Sequence, residues 1–351
     1  MSRLKPTSRR ILDPNSRQQW LAQLDDHVNS LAWSPNGTWL AAASVSGPIT
    51  IFAGRTGQVQ QVLDGHTFGT CEIAWNTSGT ILASAGQDGH IRLWDPEQGQ
   101  ERFKFPGGAE WVEHLAWSPQ GNLLATAAGR KLRLWDGING WMLQEYPDHR
   151  STISDIAWQP KRQVLTSASY GGISFWSPES KEPLRTFEWK GSILAIAWSR
   201  DGSYIATGDQ DSTVHFWIVK DGQDLQMYGY PTKVRELSWN GSSRYLATGG
   251  SNTTTVWDCS GKGPAGSKPL ELQGHATFVS AVAFQHQGSL IVTASADGNV
   301  IFWQIEKPKR PLVQVDFGSG VSQVSWSPDD QLVAFGTEAG VVTVCTPPQL
   351  K

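Results

Sequence analysis

An all-β fold, a single eight-bladed β-propeller of four-stranded antiparallel blades closed by its N-terminal strand, is what this 351-residue sequence predicts. The first observation is an apolar-small-aromatic triplet ending at Trp33, Trp75, Trp117, Trp158, Trp198, Trp239, Phe284 and Trp326, at spacings of 42, 42, 41, 40, 41, 45 and 42 residues. A period near 40 marks a repeat architecture in which each unit buries its faces only against its neighbours. The second observation is a further aromatic endpoint within each period, at Phe52, Trp94, Trp135, Trp176, Trp217, Trp257 and Trp303, degenerating to Cys345 in the eighth unit. Thirdly, the intervening runs are short, rich in β-branched and aromatic residues and separated by Gly, Pro, Asn and Asp, so they read as strands and turns with no helix.

Each unit opens on strand a, which ends at the first aromatic. Strand b follows as an apolar run such as Leu82-Ala83-Ser84-Ala85, then a tight turn, then strand c, as in Ile91-Arg92-Leu93-Trp94. Outer-strand runs (strand d) fall at residues 59–63, 101–105, 142–146, 183–187, 224–228, 270–273 and 312–317, one fewer than the triplets. After Cys345 only TPPQLK remains, and Pro347 and Pro348 cannot donate ladder hydrogen bonds. Residues 19–24 (QWLAQL) have the missing strand's character, so the N-terminus is expected to complete the last blade. A seven-bladed ring is the alternative; it would leave one unit with a bare sheet edge, which natural proteins avoid.

The pairs Gly65-His66 and Gly274-His275, the endings Trp94-Asp95, Trp135-Asp136 and Trp257-Asp258, and the Ser-Pro-x-Gly turns at Ser34 and Ser118 resemble the WD-repeat family over about residues 18–346. That resemblance implies a hydrogen-bonded chain within a unit, running from the Gly-His histidine through a strand-b Ser or Thr and a turn Asp to the strand-c Trp. The complete sets are His66, Ser84, Asp88, Trp94 and His275, Thr293, Asp297, Trp303. The fifth unit keeps Thr207, Asp211 and Trp217, and the fourth keeps His149, Thr166 and Trp176 with Tyr170 in the Asp place. A catalytic-triad reading of these sets fails, since the serine lies in a buried strand with no oxyanion donor and the set occurs twice.

Composition narrows the function classes. A net charge of −3 lacks the clustered cations of a nucleic-acid footprint. The three cysteines, Cys71, Cys259 and Cys345, show no metal or disulfide spacing, so no metal or cofactor is expected and the compartment reads as reducing. No run of about 18 apolar residues suggests a membrane span. Residues 1–17 form a basic segment expected to be a disordered tail, residues 18–346 one repeat domain without a linker, and residues 347–351 a C-terminal tail. Thirteen of the eighteen tryptophans occupy the two repeated anchor positions, leaving Trp20, Trp39, Trp111, Trp141 and Trp189 to be explained otherwise.

The resemblance places partner contacts on the face carrying the d–a and b–c loops, at positions flanking the first apolar residue of strand a. There the sequence offers Phe68, Trp111, Glu113, Lys233, Arg235 and Phe278 as partner-binding residues. Aromatic and Arg side chains are the types that dominate interface energetics. The expected function is therefore a non-enzymatic scaffold, cytoplasmic and monomeric by itself, that binds a protein or peptide and neither nucleic acid nor membrane. A propeller enzyme or small-ligand binder using the channel mouth is the alternative, and it would need Glu72, Glu113, His114 or Asp155 to converge in a deep pocket.

Overall fold

The computed structural model describes residues 17–261 and 263–350. The expected tail over residues 1–16 lies outside them.

Among the described residues the strands assemble into seven sheets, so the expectation of eight separate four-stranded blades is corrected to seven. Six sheets have four strands and one has six. The six-stranded sheet holds the fourth and fifth repeats together, in the order Asp155–Trp158, Leu165–Trp176, Arg185–Trp198, Tyr204–Asp209, Val214–Ile218 and Asp224–Met227. Its cause is the 14-residue strand Arg185–Trp198, which runs unbroken from the outer position of one repeat into the inner position of the next. Its first half pairs with Leu165–Trp176 as far as Tyr170↔Ser192, and its second half pairs with Tyr204–Asp209 from Ile193↔Asp209 onward. Elsewhere a loop separates these positions. The second repeat turns at Gly65 with φ 65°, whereas Gly191 has no positive φ and the chain stays extended.

The N-terminal strand Gln18–Gln23 pairs antiparallel with Val341–Cys345 and completes a sheet with Val333–Thr337 and Val321–Trp326. Trp20 is buried in this seam against Phe52 at 5.2 Å and donates from its indole nitrogen to the Gly54 carbonyl at 2.8 Å. Arg17 adds a bond to the Pro347 carbonyl at 2.9 Å.

Strand b is the most buried element of each repeat because sheets cover both of its faces. Leu40, Ala41, Ala42 and Ala43 are fully buried, and the run of small side chains lets the sheets on both faces approach closely. The core is accordingly divided among the seams. Ala41, Ile49 and Leu63 of the first repeat, for example, pack with Ile73, Trp75, Leu82 and Trp94 of the second.

A second pattern ties the units together. The strand-a tryptophan of one repeat donates from Nε1 to the backbone carbonyl of the residue just before the corresponding aromatic in the preceding repeat. Trp75 reaches Ala32, Trp117 reaches Ala74 and Trp158 reaches Ala116, each at 3.0 Å; Trp239 reaches Ala197 and Trp326 reaches Ala283, each at 3.1 Å. Trp198 donates instead to the Thr166 hydroxyl at 3.0 Å, which relays to the Ala157 carbonyl at 2.7 Å. The large apolar ring fills the seam while its one donor finds a partner, as a buried indole requires.

Candidate functional site

In the second repeat the four side chains form one connected chain. The Trp94 Nε1–H donates to Ser84 Oγ at 2.8 Å, Ser84 Oγ lies 2.7 Å from His66 Nε2, and His66 Nδ1 lies 2.8 Å from Asp88 Oδ1. Burial lowers the His66 pKa despite the opposing pull of Asp88, so the ring is neutral at pH 7. A carboxylate can only accept, so the single ring proton sits on Nδ1, Nε2 accepts, and the Ser84 hydroxyl donates to it. Burial acts to raise the Asp88 carboxyl, but hydrogen bonds from His66, the His90 N–H and Arg92 outweigh it and hold it below its ordinary value. Ser84 has no exposed surface, so no substrate reaches its hydroxyl.

The seventh repeat departs from expectation. His275 Nε2 is 2.7 Å from Thr293 Oγ1 and Trp303 donates to the same hydroxyl at 2.9 Å, yet Asp297 stands 4.0 Å from His275 Nδ1. Its carboxylate turns to the backbone N–H groups of Ala276 at 2.8 Å and Asn299 at 2.9 Å. The register explains this. Arg92, which faces Ser84 and holds Asp88 at 3.3 Å, is replaced by Ile301 facing Thr293. Among the described residues His275 Nδ1 is buried without a partner, and burial pushes the ring down to about 4.

Three further units use other residues. In the fourth, Ser167 and not Thr166 joins His149 and Trp176, each at 2.8 Å, because Thr166 is occupied by Trp198. In the sixth, Trp257 donates to the Tyr230 hydroxyl at 2.8 Å, which in turn meets Thr248 at 2.8 Å. In the fifth, Thr207 donates to Asp209 at 3.3 Å, Trp217 Nε1 has no partner among the described residues, and Trp189 lies over His215 at 4.0 Å. Sequence reasoning missed Tyr230 and Trp189 in these roles. Both stand nine residues before the strand-a tryptophan, as His66 and His149 do, so position would have found them where residue type did not.

Of the residues selected on the d–a and b–c loops, Phe68, Trp111 and Phe278 are 77%, 53% and 61% exposed. Lys233 and Arg235 are exposed and Glu113 is half-buried. They fall in two groups: Phe68, Trp111 and Glu113 on adjacent repeats, and Lys233, Arg235 and Phe278 on another adjacent pair. Phe68 adopts φ 71°, the left-handed region that a bulky residue enters only at a cost. Several neighbours in the same register are used differently. Asn29 donates to the Thr70 and Cys71 carbonyls, Ser154 to Ile193 and Ser322 to Val28, so these polar groups join units together and do not point outward.

One residue further along strand a, the channel wall repeats that bridging. Glu72 accepts the Leu115 N–H at 2.9 Å and Asp155 accepts the Ile196 N–H at 2.7 Å. Burial raises Glu72 to about 8 and Asp155 to about 7. His114 Nδ1 lies 3.7 Å from Glu72, but burial, with a smaller contribution from the Arg235 charge, pushes the imidazole down to about 4. Near neutral pH the His114–Glu72 contact is therefore between largely uncharged groups and not an ion pair. The thiol of Cys71 is pushed up to about 11 by burial and by the Glu113 and Glu72 carboxylates, so it is no nucleophile. Among the described residues no group of three or more His, Cys, Asp or Glu could hold a metal ion.

The five remaining tryptophans divide cleanly. Trp20 is buried in the closing seam, Trp39 stacks on Trp75 at 5.7 Å, and Trp189 covers His215. Trp111 and Trp141 are exposed; Trp141, at 70%, lies on the c–d side of the third repeat with Ile138 and Met142.

Repeats joined by these chains and rings define a class, the WD-repeat propellers. The pattern WD40, "WD domain, G-beta repeat", matches residues 18–47, 57–95, 99–136, 140–177, 181–217, 222–258 and 266–304, and the chain belongs to that family. Telomerase protein component 1 of Mus musculus is 36% identical over 73 residues, covering 21% of this chain and 3% of that protein, and the Rattus norvegicus protein matches equally. Small ribosomal subunit protein RACK1 of Medicago sativa is 31% identical over 70 residues, covering 20% of this chain and 21% of that protein. The chain thus spans a small part of the curated relatives it matches. The crystal structure of the computationally designed Ika8 protein shares the fold with TM-score 0.79 and 22% identity, over 94% of this chain and 100% of that one. No helix among the described residues is long and apolar enough to cross a membrane.

Proposed function

We propose that the protein is a non-enzymatic, cytoplasmic scaffold that binds a protein partner on the face carrying the d–a and b–c loops. Phe68 is the observation that carries this reading. It pairs high exposure with a positive φ, so it contributes neither packing nor backbone ease, and such strained residues cluster at functional positions. Trp111, Phe278, Lys233 and Arg235 supply further aromatic and cationic anchors, with Glu113 beside them. The names of the relatives, a telomerase component and a ribosomal-subunit protein, describe parts of larger assemblies, which agrees with partner binding. The channel-mouth alternative draws less support, since Glu72 and Asp155 are already engaged by backbone N–H groups.

The test is affinity capture from the native cell with wild type and the Trp111→Ala/Arg235→Ala/Phe278→Ala variant, read by mass spectrometry. Loss of the main partner in the folded triple variant is expected. Undiminished capture would remove this face as the interface.

A further inference from the structure

A cleft lies between the fourth and fifth repeats at the end of the units away from the d–a and b–c loops, on the side of the a–b and c–d turns. Its volume is about 900 Å³, against about 310 Å³ for the corresponding cleft beside Arg55 and Asp329. At its floor Arg185 occupies the place that Trp20 takes in the closing seam, thirteen residues before the strand-a tryptophan in each case. Like Trp20, it donates to the carbonyl after strand c of the next repeat, here Val219. Its guanidinium lies against the edge-to-face pair Phe175 and Phe187, 4.4 and 4.8 Å from their ring centres. Where the indole spends its one donor, the guanidinium has five. Among the described residues Arg185 has no carboxylate partner, and no other hydrogen bond uses its remaining N–H groups. Lys161, Arg162 and Lys220 stand exposed around the same cleft and also enter no ion pair among the described residues. The one acid there, Asp201, is committed to its own turn through Ser199 at 2.6 Å and the Ser203 N–H at 3.1 Å.

We propose that this cleft binds an acidic peptide segment of a partner protein, with one carboxylate seated on the Arg185 fork and its neighbours on Lys161, Arg162 and Lys220. A planar guanidinium matches a carboxylate bidentately, and the aromatic pair beside it and the Val219 carbonyl hold it in place. The exposed Leu184 and the half-buried Tyr204 beside it suit apolar side chains between the acids, which favours a peptide over nucleic acid. This surface is separate from the loop face proposed above, and each can fail without the other.

The experiment is fluorescence anisotropy of the full chain with a labelled hexapeptide of alternating Asp and Leu. A Lys/Leu hexapeptide and a labelled six-nucleotide oligo-dT serve as comparison probes. The acidic peptide is expected to bind, to weaken as salt rises, and to lose about tenfold or more in affinity with Lys161→Glu/Arg162→Glu, which alters only exposed turn residues. Arg185→Lys keeps the charge without the fork and is expected to fall between, with unchanged far-UV circular dichroism. No binding of the acidic peptide, binding indifferent to both variants, or tighter binding of the oligo-dT would each overturn the proposal.

Discussion

Trp33 donates from Nε1 to the backbone carbonyl of Ser325 at 3.0 Å, across 292 residues of sequence. The bond repeats, between the first and last repeats, the same contact that joins sequential neighbours. The final seam is therefore built like the others, with Trp20 and the N-terminal strand adding to it.

This equivalence makes the seam contacts comparable. Trp33→Phe and Trp75→Phe are expected to cost similar amounts, about 0.5–1.5 kcal/mol for the lost hydrogen bond plus the smaller ring's contact area. Phe284 already occupies this position in the seventh repeat, which indicates that the site tolerates phenylalanine. Trp20→Ala should cost more, about 3–5 kcal/mol, because a cavity opens in the closing seam. Urea denaturation measures all three, and a Trp20→Ala protein as stable as wild type would mean that the N-terminal strand contributes little to closure.

Ser84→Ala strands two buried groups at once, His66 Nε2 and Trp94 Nε1, at about 1–3 kcal/mol each. Thr254 offers the opposite case, a fully buried hydroxyl without a partner among the described residues. Thr254→Val replaces it with a methyl of similar shape and is expected to be neutral or stabilising. Thermal melts of the two variants should move apart. A matching loss in both would show that hydroxyl burial, and not connectivity, sets the cost.

Glu72 supplies a pH dependence whose sign follows from its raised pKa. The folded state keeps its proton to about 8 while the unfolded chain releases it near 4.5, so between those values the folded state binds more protons and stability falls as pH rises. Glu72→Gln removes this term while its carbonyl oxygen can still accept the Leu115 N–H. The melting advantage of Glu72→Gln over wild type should therefore grow across that window and level off above it. An advantage that shrinks with rising pH would place the folded-state carboxyl below its ordinary value.

Arg235 and His114 are coupled through charge, the smaller of the two causes holding the imidazole near 4. Arg235→Gln should raise the His114 pKa without returning it to 6.5, as read by NMR titration of the ring protons. No movement would separate Arg235 from the channel wall.

Phe68 separates stability from binding. Asn tolerates the left-handed region, so Phe68→Asn is expected to leave the melting temperature equal or higher while weakening partner capture. A real interface anchor of this type carries at least about 2 kcal/mol, or roughly thirtyfold in affinity. Lower stability with intact capture would return Phe68 to a packing role.

The sequence by itself determined the repeat, the strand order within each unit, closure by the N-terminal strand and the family, because a 40-residue period and two aromatic anchors are local, recurring signals. It also identified His66, Ser84, Asp88 and Trp94, whose types and spacing carry their geometry. What it could not determine depended on contacts between units. Seven sheets stand where eight separate blades were expected, because the chain from Arg185 to Trp198 stays extended where other units turn, and Trp189 within it packs over His215 of the next unit. Asp297 carries the residue type of Asp88 without its bond to histidine, because the strand opposite supplies Ile301 in place of Arg92. Tyr230 enters the histidine's place because burial and a hydroxyl partner suffice there, whatever the ring. A side chain's type is written in its own unit; its partner is decided by what the neighbouring strand brings against it.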